Sequence, residues 1–145
     1  MDPKQINKST GFTLIEIMVV VVILGILGAL VVPKLMSRPD QAKVTVAKGN
    51  IKAIETALNI YKLDNHNYPS TNQGIEALVN KPSGSPTANN WSSDGYLDSL
   101  PVDPWGNEYL YLSPGQHASY DLYSLGADGQ DGGEDVNKDI GNWDN

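Results

Sequence analysis

A single carboxylate, Glu16, stands inside a run of residues that is otherwise apolar from Phe12 to Val32. A charge in hydrocarbon is costly, so such a residue usually marks a function and has an identifiable partner. Catalytic motifs are absent: the sequence has no cysteine, no GxSxG, HExxH or GxxxxGK[ST], and two histidines, His66 and His117, that lie in a loop and a turn. The sequence therefore favours a protein that is not an enzyme.

The other concentration of reactive side chains is the C-terminal tail, residues 125–145, which is rich in acids and glycines. Calcium takes oxygen ligands from carboxylates, amides and backbone carbonyls, and an irregular glycine-rich loop can direct several of them to one point. The residues after Asp128 do not follow the EF-hand pattern. A solvated, disordered acidic end is the alternative, although Ile140 and Trp143 are apolar anchors that suggest a tail folded back on its domain. The residues alone favour neither the calcium site nor the solvated, disordered end over the other.

The apolar run is long enough to cross a membrane. As a helix, residues 12–32 would measure about 31 Å at ~1.5 Å per residue, close to the ~30 Å hydrocarbon core of a bilayer. A secretory signal peptide is the alternative, but its apolar core is usually shorter and precedes a small-x-small cleavage site, which is absent here. We therefore expect a retained anchor with a kink at Pro33. Basic residues on both sides leave its orientation open.

Beyond the anchor the sequence predicts one domain, residues 33–145, which begins with an amphipathic helix over residues 40–62. Apolar residues recur there at alternating steps of three and four, which places them on one stripe of the helix. The stripe consists of Val44, Ala47, Ile51, Ile54, Leu58 and Tyr61. We expect it to pack on its own domain. A free coiled coil is the alternative, but it would show a longer seam flanked by paired charges.

The rest of the domain is predicted to combine loops with a small sheet. Residues 63–74 and 82–95 have loop composition, and a short helix is expected within residues 74–81. Residues 107–113 and 118–124 are rich in Tyr and Leu, and Pro-Gly-Gln-His between them indicates the turn of an antiparallel hairpin. No regular element is expected in the C-terminal tail. The predicted fold class is α+β.

The net charge of −7 is unevenly distributed, because most basic residues lie between positions 34 and 62. The acidic remainder argues against nucleic acid as a partner, which would call for a basic face. Without cysteine, a domain outside the cytoplasm can have no disulfide and would need another staple, such as a metal ion.

Two sets of residues resemble a known family. Gly11-Phe12-Thr13-Leu14-Ile15-Glu16, followed by an apolar helix, resembles the N-terminus of type IV pilin-like proteins. Residues 61–79, 100–117 and 124–143 are similar to the major pseudopilins of type II secretion systems within that superfamily. One departure is that Ser9 and Thr10 separate Lys8 from the glycine, where many such leaders carry a basic residue.

The resemblance implies that residues 1–11 are a leader, which a prepilin peptidase cuts after Gly11 before methylating the new amino group of Phe12. It implies a single-pass protein of the bacterial inner membrane with a cytoplasmic N-terminus and a periplasmic head. The implied function is polymerisation into a pseudopilus that helps to drive folded proteins from the periplasm across the outer membrane. The implied partners are further copies of the chain, minor pseudopilins, the prepilin peptidase, the inner-membrane secretion platform and, before assembly, membrane lipid.

The resemblance also implies roles for individual residues. Glu16 is expected to pair with the Phe12 amine of a neighbouring copy, a group whose charge methylation preserves. A calcium site is implied in the C-terminal tail, with Asp128 and Asp139 as side-chain ligands and the carbonyl of Leu125 as a backbone ligand. Three further candidates, whose register the variable loop length leaves open, are Glu134, Asp135 and Asn137.

Two alternatives remain open. A subunit of a true type IV pilus belongs to the same superfamily, although many of those subunits close a C-terminal loop with a disulfide that this chain cannot form. A membrane-anchored periplasmic binding protein that never polymerises is the alternative from another class.

Overall fold

The computed structural model describes residues 11–144, and within residues 30–38 it describes the backbone alone. The predicted leader, apart from Gly11, lies outside the described residues. The chain divides into two compact units, residues 1–38 and residues 39–145. Helix α1, Leu14–Asn65, supplies residues to both units.

In the first unit, the described side chains of α1 are apolar except Glu16, and all of them are exposed. Among the described residues, no helix combines the length and the hydropathy that a membrane crossing requires. The last three residues of the predicted anchor, residues 12–32, and the kink expected at Pro33 fall where side chains are not described. Both the anchor and the kink stay predictions.

The second unit is built around the C-terminal part of α1. The helix predicted over residues 40–62 is confirmed, and it continues to Asn65. It ends there because His66 adopts a left-handed conformation, with φ +68°, while its N–H donates to the carbonyl of Lys62 at 2.7 Å. The predicted apolar stripe is the face that the helix buries, with Val44 at its half-buried edge.

Three short antiparallel strands form a sheet in the order β1-β2-β3. They are β1 (Leu110–Leu112), β2 (Asp121–Ser124) and β3 (Ile140–Gly141). Strands β1 and β2 form the predicted hairpin, in which Tyr111 lies opposite Leu122. The expectation that the C-terminal tail holds no regular element is wrong, since β3 pairs with β2 and a 3₁₀ helix spans Asp135–Asn137. The second edge of β2 offers backbone groups that need partners, and even a two-residue strand satisfies some of them.

Helix α1 and the sheet enclose a hydrophobic core, which confirms the α+β class and the packing of the helix on its own domain. The sheet side of the core is formed by Tyr109, Tyr111, Tyr120, Leu122 and Ile140. The expected short helix within residues 74–81 is a 3₁₀ helix, Ile75–Leu78, and it buries Ile75, Ala77 and Leu78 against the same core.

Candidate functional site

The N-terminal candidate residues lie at the start of α1. Oε2 of Glu16 accepts hydrogen bonds from the backbone N–H of Thr13 at 3.0 Å and from its hydroxyl at 3.1 Å. The hydroxyl oxygen of Thr13 lies 3.4 Å from the backbone nitrogen of Glu16, which donates to it. This reciprocal arrangement is a capping box, and it satisfies backbone donors that a helix start otherwise leaves without partners.

The capping box gives Glu16 a role that the sequence reasoning missed. Its signature, a Ser or Thr followed three residues later by Glu or Gln and then an apolar run, is present at Thr13 and Glu16 and could have been found. A carboxylate can accept about four hydrogen bonds, so capping its own helix leaves Glu16 able to pair with a cation as well. Phe12, next to the box, is 84% exposed.

Helix α1 carries a second apolar stripe, on the side opposite the core. Its members are small or apolar, recur at alternating steps of four and three, and include no charge. This outer stripe consists of Ala42, Val46, Gly49, Ala53, Thr56, Ile60 and Leu63. The exposed fractions of Val46, Ile60 and Leu63 are 53%, 47% and 77%. The spacing is that of a helix-pairing seam. The three-and-four spacing that identified the buried stripe would also have identified the outer stripe from the sequence.

The C-terminal tail folds back on itself. The N–H of Ala127 donates to the carbonyl of Val136 at 2.9 Å, and the N–H of Asp139 donates to the carbonyl of Gly132 at 3.1 Å. These bonds close a loop whose outgoing side holds Leu125 and Asp128. Its returning side holds the remaining predicted ligands, Glu134, Asp135, Asn137 and Asp139.

The predicted ligands differ in their hydrogen bonds, their exposure and their backbone conformation. Oδ1 of Asp128 accepts the N–H of Gln130 at 3.1 Å. Asp135 is exposed and has a positive φ of 54°, a conformation that is unusual outside glycine. Glu134 and Asn137 are exposed, whereas Leu125 is half-buried.

Asp139 is the predicted ligand with an unmet bonding requirement. Its Oδ2 accepts the N–H of Gly132 at 3.0 Å, whereas its Oδ1 is buried and has no hydrogen-bond partner among the described residues. A buried acceptor without a donor costs roughly 1–3 kcal/mol, and more when charged. Asp139 also lines a surface cavity of about 150 Å³ with Asp131 and Tyr123. Burial raises the pKa of Tyr123, and the charges of Asp131 and Asp139 raise it further.

Among residues 11–144, no three Asp, Glu, His or Cys side chains lie close enough together to hold a metal ion. A calcium ion in this loop would therefore draw on backbone carbonyls and amide oxygens as well as carboxylates, which calcium accepts. The predicted set contains all three kinds of oxygen, and the unpartnered Oδ1 of Asp139 fits a cation. The donor types are thus suited to calcium.

The apolar anchors predicted for the tail are confirmed. Ile140 lies in the core, and the ring of Trp143 stacks on His117 with centroids 4.1 Å apart. The side chain of His117 is about half exposed, and its Nδ1 lies 3.0 Å from Oδ2 of Asp121. The hairpin turn and the end of the chain are therefore held together through His117.

Asp121 makes this junction sensitive to acid. Burial by itself would raise the pKa of its carboxyl, but the backbone N–H groups of Gln116 and His117 and the imidazole bond to the carboxylate, and the pKa lies below its ordinary 3.8. The stabilisation that the Asp121 carboxylate contributes is thus complete above the ordinary pKa of 3.8 and is lost as the pH falls through the folded pKa.

Below about pH 4 we expect the free energy of unfolding to fall more steeply for the wild type than for Asp121→Asn, measured by denaturant titration at several pH values. Parallel pH profiles would contradict this.

Residues 34–143 match the family model described as type II secretion system protein G. The chain belongs to this family. Residues 6–32 match the prokaryotic N-terminal methylation motif, a segment that contains the predicted cleavage point after Gly11.

Similar proteins cover nearly the whole chain. The type II secretion system core protein G of Pseudomonas aeruginosa is 71% identical over 97% of this chain and 99% of its own length. The corresponding protein of Vibrio cholerae is 55% identical over 97% of this chain and 95% of its own length. Among solved structures, the major pseudopilin from the type 2 secretion system of enterohaemorrhagic Escherichia coli is 45% identical, with a TM-score of 0.69 over 78% of this chain and 96% of that one.

Membership of the protein G family confirms the resemblance that the N-terminal motif and the head segments indicated. The protein G family is a structural part of a secretion system rather than a known family of enzymes. Its match favours a type II pseudopilin over the subunit of a true type IV pilus.

Proposed function

We propose that the chain is the structural subunit of a type II secretion pseudopilus and that its copies associate through helix α1. The observation that carries the proposal is the outer stripe, which leaves Val46, Ile60 and Leu63 exposed on a helix whose opposite face is already buried. Contiguous exposed apolar surface usually marks an interaction site. Burying it against another copy would contribute about 25 cal/mol for each Å² removed from water. The filament would help to drive folded proteins from the periplasm across the outer membrane.

Before assembly, residues 12–32 anchor the chain in the inner membrane, with the leader cytoplasmic and the head periplasmic. The methylation motif and the length of the apolar run support this arrangement. Glu16 is the fifth residue of the run and would lie about 6 Å from its end at ~1.5 Å per residue. It can therefore stay near the membrane interface. In the core of a filament that route to water is closed.

Within the filament, Glu16 pairs with the amine of Phe12 in a neighbouring copy. Cleavage after Gly11 creates this amine, and an α-amino group has a pKa near 8, so it is mostly protonated at neutral pH. Burying the two charges together avoids the several kcal/mol that either one alone would cost. An uncut chain has a neutral amide at Phe12 and cannot form the pair. The pairing would thus set the axial register and reject unprocessed subunits.

The C-terminal tail binds calcium. Asp128, Asp139 and the carbonyl of Leu125 are the leading ligands, with Glu134, Asp135, and Asn137 as further candidates. The buried Oδ1 of Asp139, which has no hydrogen-bond partner in the described part of the chain, supports the site, and a chain without cysteine has a use for such a staple. The ion would offset repulsion among the acids and tie the two sides of the tail together.

Replacing Ile60 with lysine places a charge on the outer stripe, and we expect at least a tenfold loss of filaments. The residue is exposed in the head, so the variant should fold and be processed normally. The matched control is Gln41→Lys, which adds the same charge to an exposed position of α1 off the stripe. Sheared filaments and cross-linked ladders, normalised to total subunit, give the comparison. Equal yields from the two variants would show that the stripe is not an assembly surface.

Replacing Gly11 with valine should leave the full-length chain in the membrane. The peptidase must bring its active site close to the backbone, and only glycine offers access without a Cβ. A Cβ at Gly11 would meet nothing within 4 Å, so packing among the described residues gives no other reason for the glycine. Intact mass spectrometry reads the N-terminus directly, with Thr10→Val as the control. Normal processing of Gly11→Val would refute the cleavage assignment.

A non-polymerising membrane anchor is the remaining alternative. Chemical cross-linking of intact membranes separates the two functions, because a filament subunit gives a ladder of multimers and a monomeric anchor does not. A wild-type sample without a ladder would favour the anchor.

A further inference from the structure

The peptide group that follows Leu125 has a fixed orientation. The hydroxyl oxygen of Ser124 accepts the N–H of Gly126 at 3.2 Å, and Ser124 is fully buried, with 0% exposure. This N–H and the carbonyl of Leu125 belong to one planar trans peptide group, so they point in opposite directions. The hydroxyl of Ser124 therefore sets the direction in which the Leu125 carbonyl points.

Ser124 is held in turn by Asp103, which lies 21 residues earlier in the chain. The Ser124 hydroxyl donates to Oδ2 of Asp103 at 2.6 Å, and Asp103 is 2% exposed. Oδ1 of Asp103 accepts the backbone N–H groups of Trp105 at 3.0 Å and Asn107 at 2.8 Å. Both carboxylate oxygens are thus engaged, and neither Asp103 nor Ser124 can turn without leaving a buried polar group without a partner.

The same peptide group packs against the returning side of the tail. Gly126 has a φ of +67°, and a Cβ there would lie 2.8 Å from the carbonyl oxygens of Asn137 and Lys138. Only glycine allows both the conformation and the close approach. The peptide group of Leu125 and Gly126 therefore has a fixed orientation, and it lies where strand β2, the segment that contains Asp103 and the returning side of the tail meet.

We propose that Asp103 and Ser124 are positioning residues for the metal site of the tail, and that they orient the Leu125 carbonyl before the ion arrives. This inference rests on the proposed calcium site. Neither residue is a ligand in this scheme. A ligand that is already oriented loses less conformational freedom on binding, and removal of a group that orients a metal ligand typically lowers affinity about 10–100-fold.

The test is calcium titration of the full-length chain in detergent by isothermal calorimetry. Ser124→Ala and Asp103→Asn should each weaken calcium binding about tenfold. Because the two residues act through one peptide group, the double variant should be little weaker than Ser124→Ala alone. The matched control is Tyr111→Phe, which removes another buried hydroxyl bond, to the carbonyl of Pro69 at 2.9 Å. It should lower the melting temperature and leave calcium affinity unchanged.

The results of the calcium titration test the metal site and the positioning role of Asp103 and Ser124 separately. A wild type that binds no calcium removes the metal site and this inference with it. A wild type that binds calcium, with Ser124→Ala and Asp103→Asn binding equally well, keeps the metal site and overturns the positioning role. If Ser124→Ala proves unfolded by circular dichroism, Asp103→Asn, which is nearly isosteric, decides alone. Additive losses in the double variant would also overturn the inference.

Discussion

Replacing Glu16 with glutamine should abolish filaments while the chain is still cut, methylated and inserted. Glutamine can replace glutamate in a capping box, so the helix start keeps its hydrogen bonds to Thr13. What the variant loses is the charge that would pair with the Phe12 amine. Leaving one member of a buried ion pair uncompensated costs roughly 3–5 kcal/mol, which corresponds to a hundredfold or more in an association constant for each contact.

Two further variants separate the roles of Glu16. Glu16→Ala removes both the charge and the capping acceptor and should fail in the same way. Thr13→Val removes the capping hydroxyl but keeps the carboxylate, so it should cost about 1 kcal/mol of helix stability and reduce filaments only partly. Cross-linked ladders at matched subunit levels give the comparison. Normal filaments from Glu16→Gln together with none from Glu16→Ala would show that capping, and not charge pairing, explains Glu16.

Removing calcium should lower the melting temperature of the head. A site held at about one hundred times its dissociation constant adds about 2.7 kcal/mol to the free energy of unfolding. For a domain of this size that corresponds to a shift on the order of 10 °C. Since extracytoplasmic modules bind calcium at roughly 10⁻⁴–10⁻³ M, the measurement is thermal unfolding of the full-length chain in detergent, either with calcium on the order of 10–100 mM, about one hundred times that dissociation constant, or with a chelator.

The variants for this test are Asp128→Ala and Asp139→Asn, each of which should abolish the difference between calcium and chelator. Asp98→Asn removes an exposed acid outside the tail and is the matched control, which should keep the full difference. If the wild-type curves with calcium and with chelator superimpose, the tail is only an acidic segment held by Ile140 and Trp143.

Local patterns were sufficient to predict the main elements of the head. The three-and-four spacing from Val44 to Tyr61 identified the buried face of α1, and tyrosine-rich segments around a Pro-Gly turn identified the hairpin. Strand β3 could not be predicted in the same way, because two residues carry no periodicity and pair only where β2 already presents an edge. The anchoring by Trp143 was visible because an aromatic residue after an acidic run has an apolar surface to bury.

A part of the candidate sites could be predicted only where its residues lie close together in the sequence. The capping box of Thr13 and Glu16 and the outer stripe are local patterns, so sequence could have revealed both. The bond between Asp103 and Ser124 joins a loop to a strand, and no spacing along the chain indicates it. Its existence depends on the core bringing those elements together.

The most direct test of the account is intact mass spectrometry of filaments sheared from cells that overproduce the chain with its secretion system. We expect the main component to be this chain, beginning at Phe12 and carrying one added methyl group on its amine. Filaments that lack the chain, or a chain that is found only uncut and unassembled in the membrane, would contradict it.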